Sequence, residues 1–301
     1  MIEPCPYPVG RPIPLEDKLT MVLAPNPSPM TYWGTNTYIL GETRLAVIDP
    51  GPDDSDHLAA LLAVIGDRPV SHILLTHSHI DHSPLSKRLA AATGAPVCAF
   101  GTHLAGRSDV MAQLANDGLV GGGEGIDSSF VPDRLIADRE AIEGPDWTVT
   151  ALHTPGHIAN HLSFQWNDAV FTGDHVMGWA SSLVSPPDGD LTQFMASCDR
   201  LRQIPARVYY AGHGRPITNP TERLDWLINH RMGREAQILN ALDKGPADAA
   251  ALTHHLYSDV NPALLPAAQR NVLAHLIDLA QRGRVTAKPQ LSATAIFELV
   301  N

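Results

Sequence analysis

Residues 70–84 read Val-Ser-His-Ile-Leu-Leu-Thr-His-Ser-His-Ile-Asp-His-Ser-Pro. The apolar run Ile73-Leu74-Leu75 is short and branched enough for a buried strand, and it feeds directly into His77, His79, Asp81 and His82. Pro84 suits the first turn of a following helix, where its missing N–H costs nothing. Four potential metal ligands therefore occupy a loop between a strand end and a helix start, where α/β folds carry function. Imidazole with carboxylate suits zinc or a similar first-row metal and needs no thiolate.

The same arrangement recurs along the chain. Asn36–Leu40 and Arg44–Ile48 read as a hairpin ending in Asp49-Pro50-Gly51, and His57–Ile65 has helical spacing. After the ligand loop come a helix from Pro84 to Ala92 and a short strand at Pro96–Phe100. The strand Trp147–Leu152 runs into His153-Thr154-Pro155-Gly156-His157. A tight hairpin, Leu162–Trp166 and Ala169–Thr172, delivers Gly173-Asp174-His175. Leu191–Ile204 is an amphipathic helix, and Arg207–Ala211 delivers Gly212-His213-Gly214. Short strands alternating with helices, with a histidine or aspartate after several strand ends, imply an α/β core with a metal site at one rim of its sheets.

Two stretches carry little pattern. Residues 1–35 hold eight prolines and are expected to form an extended arm across the surface. Residues 101–130 contain Gly118, Gly121, Gly122, Gly123 and Gly125, which predict a flexible loop beside the site with no regular element. The glycines lack the lysine and helix start of a phosphate loop.

With 301 residues and 44% apolar content, the chain can bury one large core with a small appendage. No apolar run reaches membrane-spanning length, and the opening residues lack the basic and apolar regions of a signal peptide, so a cytoplasmic location is expected. Cys5, Cys98 and Cys198 are odd in number and scattered, which favours reduced thiols over a disulfide framework. Net charge is −11, and all of it falls on residues 1–221, where 13 basic face 24 acidic side chains. That balance opposes nucleic-acid binding.

Beyond residue 221 the character changes to three helical patterns, at 221–242, 249–256 and 266–282, followed by β runs at 284–287 and 295–300. This predicts two parts, a main domain over 1–221 and a winged-helix-like domain over 222–301. Such a tail can read DNA through basic and amide side chains. Its third helix offers Gln269, Arg270, Asn271 and Gln281 in a neutral domain, so a structural or interaction role is expected instead.

Thr-His-Ser-His-Ile-Asp-His, Thr-Pro-Gly-His, Thr-Gly-Asp-His and Gly-His-Gly, in that order over residues 30–220, resemble the successive motifs of the metallo-β-lactamase superfamily. Asn26–Thr31, Gly34–Tyr38 and, in the tail, Ile238-Leu239, Tyr257 and Asn271–Leu276 resemble its β-lactamase-like protein 2 branch. The resemblance implies an αβ/βα four-layer sandwich of the α/β class with a C-terminal winged-helix-like domain. It implies a first zinc held by His77, His79 and His157, a second by Asp81, His82 and His213, and Asp174 bridging them. Iron or manganese is the alternative metal. It also implies ribonucleases and acyl-carrier-protein thioesterases among the relatives.

Three neutral imidazoles leave zinc its full charge and an open position, which acidifies bound water. Asp81 and His161 are the catalytic candidates. His161, four residues beyond His157, is expected to face the substrate as a donor to the oxyanion or an acid to the leaving group. Asp49 either fixes a ligand imidazole or serves as a plain turn residue. Asn36 and Thr35 line the cleft or cap a turn. His153 is expected to be packed. The favoured substrate is a small or carrier-bound ester, thioester or lactone. The alternative is a single-strand-specific endoribonuclease, with a β-lactamase or a DNA-binding metal sensor behind it. Neither interval, 17 residues from His157 to Asp174 or 39 from Asp174 to His213, has room for the inserted domain of large RNA nucleases. The tail also makes a homodimer an option.

Overall fold

The computed structural model describes residues 3–121, 125–259 and 261–300. A seven-stranded sheet runs in chain order through β1 (Pro12–Glu16), β2 (Leu19–Leu23), β3 (Asn36–Leu40), β4 (Leu45–Ile48), β5 (Val70–Leu74), β6 (Val97–Ala99) and β7 (Arg134–Leu135). The first four pair antiparallel, and β4 to β7 pair parallel. Helices α1 (Ser55–Ile65) and α2 (Leu85–Thr93) make crossovers between parallel strands, as that pairing demands.

The extended arm expected over residues 1–35 is therefore corrected. Its run Leu19-Thr20-Met21-Val22-Leu23 is almost wholly buried as β2, while Pro12 and Pro14 lie on the edge strand β1. Proline is tolerated at an edge, so the prolines flank the hairpin without forbidding it. Lys18, at φ +63°, helps make the two-residue turn.

The structure also corrects the expectation of no regular element in 101–130, because α3 (Asp109–Asn116) forms there. Ser108 caps it by accepting the Met111 N–H, and the stretch between Gly106 and Gly118 is free of glycine. Its fully buried face is Met111 and Leu114, with Val110 packed beside them, too short for a periodic signal, and it is covered by the tail. Gly122 and Gly123 of the expected loop lie outside the described residues. The short strands β7 and β8 (Ala141–Glu143) were likewise not expected.

A second sheet has the order β12–β11–β10–β9–β8, with β9 at Thr148–His153, β10 at Leu162–Trp166, β11 at Ala169–Gly173 and β12 at Val208–Ala211. Its one parallel pair, β11 with β12, is joined through α4 (Leu191–Arg202). Alternation along the strands sorts side chains between layers. On β4, Ala46 and Ile48 enter the core between the sheets, while Leu45 and Val47 pack with Leu61 of α1 and Leu89 of α2. On β11, Ala169 and Phe171 enter the same core, while Val170 packs with Phe194 of α4. The result is the expected four-layer αβ/βα sandwich.

The C-terminal part comprises α5 (Pro220–Leu242), α6 (Ala249–Leu256), α7 (Leu265–Gln281) and the antiparallel pair β13 (Val285–Lys288) and β14 (Ile296–Leu299), which build the winged helix. Leu224 and Leu227 of α5 and Ala274 of α7 share the core under α4, so these helices are seated on the second sheet's outer layer. Among the described residues no helix is long and apolar enough to cross a membrane.

Candidate metal centre

Strand β5 ends at Leu74, and the next turns place His77, His79, Asp81 and His82 before α2 starts. His157 follows β9, Asp174 follows β11 and His213 follows β12, all at one rim of the two sheets. The chain brings these seven side chains into two groups of potential ligands, His77–His79–His157 and Asp81–His82–Asp174–His213.

In the first group, Nδ1 of His79 lies 3.0 Å from Nε2 of His77 and 3.0 Å from Nε2 of His157. Tetrahedral ligands at about 2.0–2.1 Å from zinc sit about 3.3 Å apart, so a small cation fits with slight expansion. In the second group, Nε2 of His213 is 3.1 Å from Asp81 Oδ2 and 3.3 Å from Asp174 Oδ2, and Nε2 of His82 is 3.5 Å from Asp174 Oδ1. Oδ2 of Asp174 is also 3.9 Å from Nε2 of His157, which sets this carboxylate between the groups. His82 Nε2, His213 Nε2 and Asp174 Oδ1 are buried with no hydrogen-bond partner. Buried polar atoms without partners are costly, and a cation in the second group would satisfy all three, while the first group offers three imidazoles at ligand spacing. The residues present fit two divalent ions.

Behind the inward nitrogens, the opposite ring atoms are fixed. Nδ1 of His157 donates to the Leu183 carbonyl at 2.8 Å, and Nδ1 of His213 to the Gly34 carbonyl at 3.0 Å. A carbonyl only accepts, so both rings carry their proton on Nδ1 and aim the Nε2 lone pair into the centre. Asp49 Oδ2 accepts from His82 Nδ1 at 3.0 Å and from the Thr76 hydroxyl at 2.6 Å, while Oδ1 accepts the Thr76 N–H at 2.7 Å. With its hydroxyl proton committed, Thr76 accepts from His77 Nδ1 at 2.9 Å. Asp49 thus fixes a ligand imidazole, the first of the two roles open to it. It also lies within ligand distance of His77 and His82, but both of its oxygens are engaged as described.

Burial, with repulsion from His82 and His79, holds the His77 imidazole well below its usual range; burial and His157 hold His79 at about 3. Burial also lowers His157. The triad is therefore neutral and ready to ligate. For His213 burial acts downward, but in the metal-free protein Asp174 and Asp81 outweigh it and lift the ring to about 10, so a cation binding there displaces an Nε2 proton to gain the lone pair. Burial raises Asp174, yet His213 and His82 overcome it and hold the carboxyl well below its usual range.

Glycines allow the close packing. A Cβ on Gly156 would lie 2.2 Å from Phe194 Cα, and one on Gly212 would lie 2.3 Å from Asp174 Oδ1. Asn36 donates to the carbonyls of Ala211 and Gly214 at 3.1 and 3.0 Å, clamping the loop that carries His213, and Thr35 is bound by Asn26. Both are buried supports and do not line a cleft.

His161 departs from expectation. It is 0% exposed, its Nδ1 is 2.9 Å from the Thr154 hydroxyl, and its ring lies 5.2 Å from His77. Its Nε2 abuts Gly173 and is buried with no hydrogen-bond partner, so the ring is enclosed behind the candidate ligands. Spacing from His157 placed it near the His/Asp groups but gave no depth. His175 points into the core toward Cys198 and Phe194. His153 stacks on Phe100, packed as expected. Sequence reasoning missed Thr76, Ser182 and the carbonyls of Gly34 and Leu183; only Thr76, preceding His77, offered a side-chain signal.

A cavity of about 1020 Å³ is lined by Tyr32, Trp33, Trp179, Arg215, Arg223 and Trp226; Arg215 lies two residues beyond His213, and none of the seven candidate ligands is on its wall. Tyr32 stacks on Trp179 at 4.7 Å, and Gly214, next to His213, packs against both rings.

Comparison with known proteins agrees with this architecture. Residues 30–213 match the metallo-beta-lactamase superfamily, and residues 249–292 match the beta-lactamase associated winged helix domain. The chain belongs to the metallo-β-lactamase superfamily. It is 31% identical over 283 residues to the beta-lactamase-like protein 2 homolog of Drosophila melanogaster, covering 90% of each chain. It is 32% identical over 236 residues to the atrochrysone carboxyl ACP thioesterase of Aspergillus fumigatus, covering 76% of this chain and 66% of that one. A metallo-beta-lactamase family protein from Thermus thermophilus superposes with a TM-score of 0.74 and 27% identity, covering 95% of this chain and 99% of that one. These similarities are consistent with a metal-dependent hydrolase.

Proposed function

We propose that the protein is a two-zinc hydrolase of small or carrier-bound acyl compounds, with thioesters favoured over esters and lactones. The observation that carries this is the pair of converging His/Asp groups whose outward nitrogens are held by Asp49, Thr76, Leu183 and Gly34. His77, His79 and His157 would hold one ion, Asp81, His82 and His213 the other, with Asp174 between. When bound, two such cations acidify water and polarise a carbonyl. Asp81, with its side chain 20% exposed, is the most solvent-accessible of the second group, and His82 and His213 hold its carboxyl ionised against the opposing effect of burial. Asp81 is therefore ionised and able to ligate, and as the most exposed member of the group it is the residue we assign to relaying the proton of attacking water.

The aromatic cavity reached through Arg215, two residues beyond His213, would offer apolar surface for an acyl chain extending from the centre. A thiolate departs without protonation, so the enclosure of His161 is no obstacle to a thioester. The name of the Aspergillus fumigatus relative supports the same class. The excess of acidic over basic residues in 1–221 weighs against RNA. A DNA-reading tail is disfavoured because Arg270 and Asn271 of α7 are bound to the 184–186 segment and are not presented outward.

The test is one parallel assay against acyl thioesters, lactones, single-stranded RNA and a chromogenic β-lactam, each with and without chelator. Chelator-sensitive hydrolysis of the acyl substrates, lost in Asp81→Ala with the fold intact, is expected. Cleavage of RNA alone would overturn the acyl reading. Elemental analysis of the active protein decides between zinc, iron and manganese.

A further inference from the structure

The C-terminal helices hold the loop that follows Asp174, with Arg223 donating to the Met177 and Ala180 carbonyls, and they grip its next stretch, the backbone of residues 182–186, most closely. Arg231 on α5 is only 3% exposed and has no carboxylate partner among the described residues. One arm of its guanidinium donates to the Ser182 carbonyl and the other to Asn271 Oδ1 on α7 at 2.9 Å, while the group lies over the Phe194 ring. The same Asn271 oxygen accepts the Val184 N–H at 3.2 Å. Arg270, one residue earlier, donates to the Ser185 hydroxyl at 2.9 Å and to the Pro186 carbonyl. Between these anchors, the Leu183 carbonyl receives the His157 Nδ1 proton at 2.8 Å. The Ser182 hydroxyl reaches the Asp174 carbonyl at 2.5 Å.

We infer that Asn271 and Arg231 are positioning residues for the metal centre: the winged-helix part fixes the 182–186 strip, and the strip fixes the tautomer and direction of His157. The physical reason is economy of alternatives. A buried arginine with no counter-ion is expensive, and here the strip and Asn271 each take a donor from one terminal nitrogen while Nε finds none, so those two contacts carry what satisfaction the group has. If the strip moved, Arg231 would lose a carbonyl, Asn271 would lose an N–H and His157 would lose its acceptor together. The tail is thereby tied to the ligand geometry without touching a ligand. This inference rests on the reading of His157 as a ligand, but the orientation of its ring can be measured in metal-free protein.

Asn271→Ala removes the oxygen shared by Arg231 and Val184, whereas Asn271→Asp keeps an acceptor there and adds a partner for Arg231. In the metal-free protein, ¹⁵N–¹H correlation spectra report which ring nitrogen of His157 is protonated; in parallel, chelator competition reports the two zinc dissociation constants. Asn271→Ala is expected to mix the His157 tautomers and weaken zinc binding 10- to 100-fold, the usual effect of losing an outer-shell partner. Asn271→Asp is expected to preserve both. Leu252→Ala, buried in the same C-terminal core but away from the strip, is expected to lower stability and leave both readouts unchanged. Should Asn271→Ala fail to fold, Asn271→Ser is measured against the same criteria. Wild-type tautomer and affinity in Asn271→Ala, or equal losses in Leu252→Ala, would overturn the inference. A wild-type protein that binds no zinc but shows the expected tautomer change would sink the metal reading and leave the strut standing.

Discussion

Replacing Asp49 separates the two things its carboxylate does. The residue is 2% exposed and its side chain accepts three hydrogen bonds, from the Thr76 N–H, the Thr76 hydroxyl and His82 Nδ1. Asp49→Ala leaves all three donors buried and unpaired; breaking a buried charged network of this kind costs about 3–5 kcal/mol. Asp49 also sits at φ +50°, which aspartate and asparagine tolerate better than alanine, adding roughly 1 kcal/mol. Asp49→Asn keeps the backbone conformation and one acceptor, so its stability loss is expected at about 1–3 kcal/mol. Its amide N–H, however, faces His82 Nδ1 or the Thr76 hydroxyl. An amide donor there favours a lone pair on the outer nitrogen of His82 and a proton on the inner one, where a cation belongs. Asn is therefore expected to rescue much of the stability but little of the metal affinity, which falls 10- to 100-fold in both variants. Urea unfolding in chelator gives the first quantity and competition with a chromogenic chelator the second. Asp49→Ala within 1 kcal/mol of wild type, or Asp49→Asn with wild-type metal affinity, would refute this role.

Burial lowers His57 to about 4 even though Asp54 pulls the other way, so the unfolded chain binds more protons between pH 4 and 6.5. Its contribution, up to about 3 kcal/mol, is complete above pH 6.5 and lost as pH falls toward 4. Urea midpoints across that window should therefore fall more steeply for wild type than for His57→Gln, and parallel slopes would contradict it. Trp179→Ala removes one face of the Tyr32 stack beside His213 and should raise KM for acyl thioesters by roughly 5- to 30-fold, matching about 1–2 kcal/mol of aromatic contact, with kcat unchanged. A fall in kcat alone would place Trp179 outside the acyl site.

How much of this was legible in the sequence depended on whether the signal lay in side chains of fixed period. The candidate ligand positions were readable because strand ends lead into His or Asp four times over, and the structure gathers those residues at one rim. The hairpin β1–β2 was not, because proline density outweighed a five-residue apolar run whose edge position only tertiary context reveals. Helix α3 was too short to show its face, which is defined by the tail that covers it. Asp49 looked the same as a turn residue until His82 was seen beside it. The acceptors that orient His157 and His213 are main-chain carbonyls, available on any residue. His161 had the right spacing and the wrong depth, since position along a loop does not tell which layer a ring enters.

The most direct measurement is anomalous diffraction from crystals of active protein, collected on both sides of the zinc absorption edge. Two peaks per chain are predicted, one ringed by His77, His79 and His157, the other by Asp81, His82 and His213, with Asp174 reaching both. Active crystals with no anomalous peak among these seven side chains, or with metal bound elsewhere, would contradict the two-cation centre.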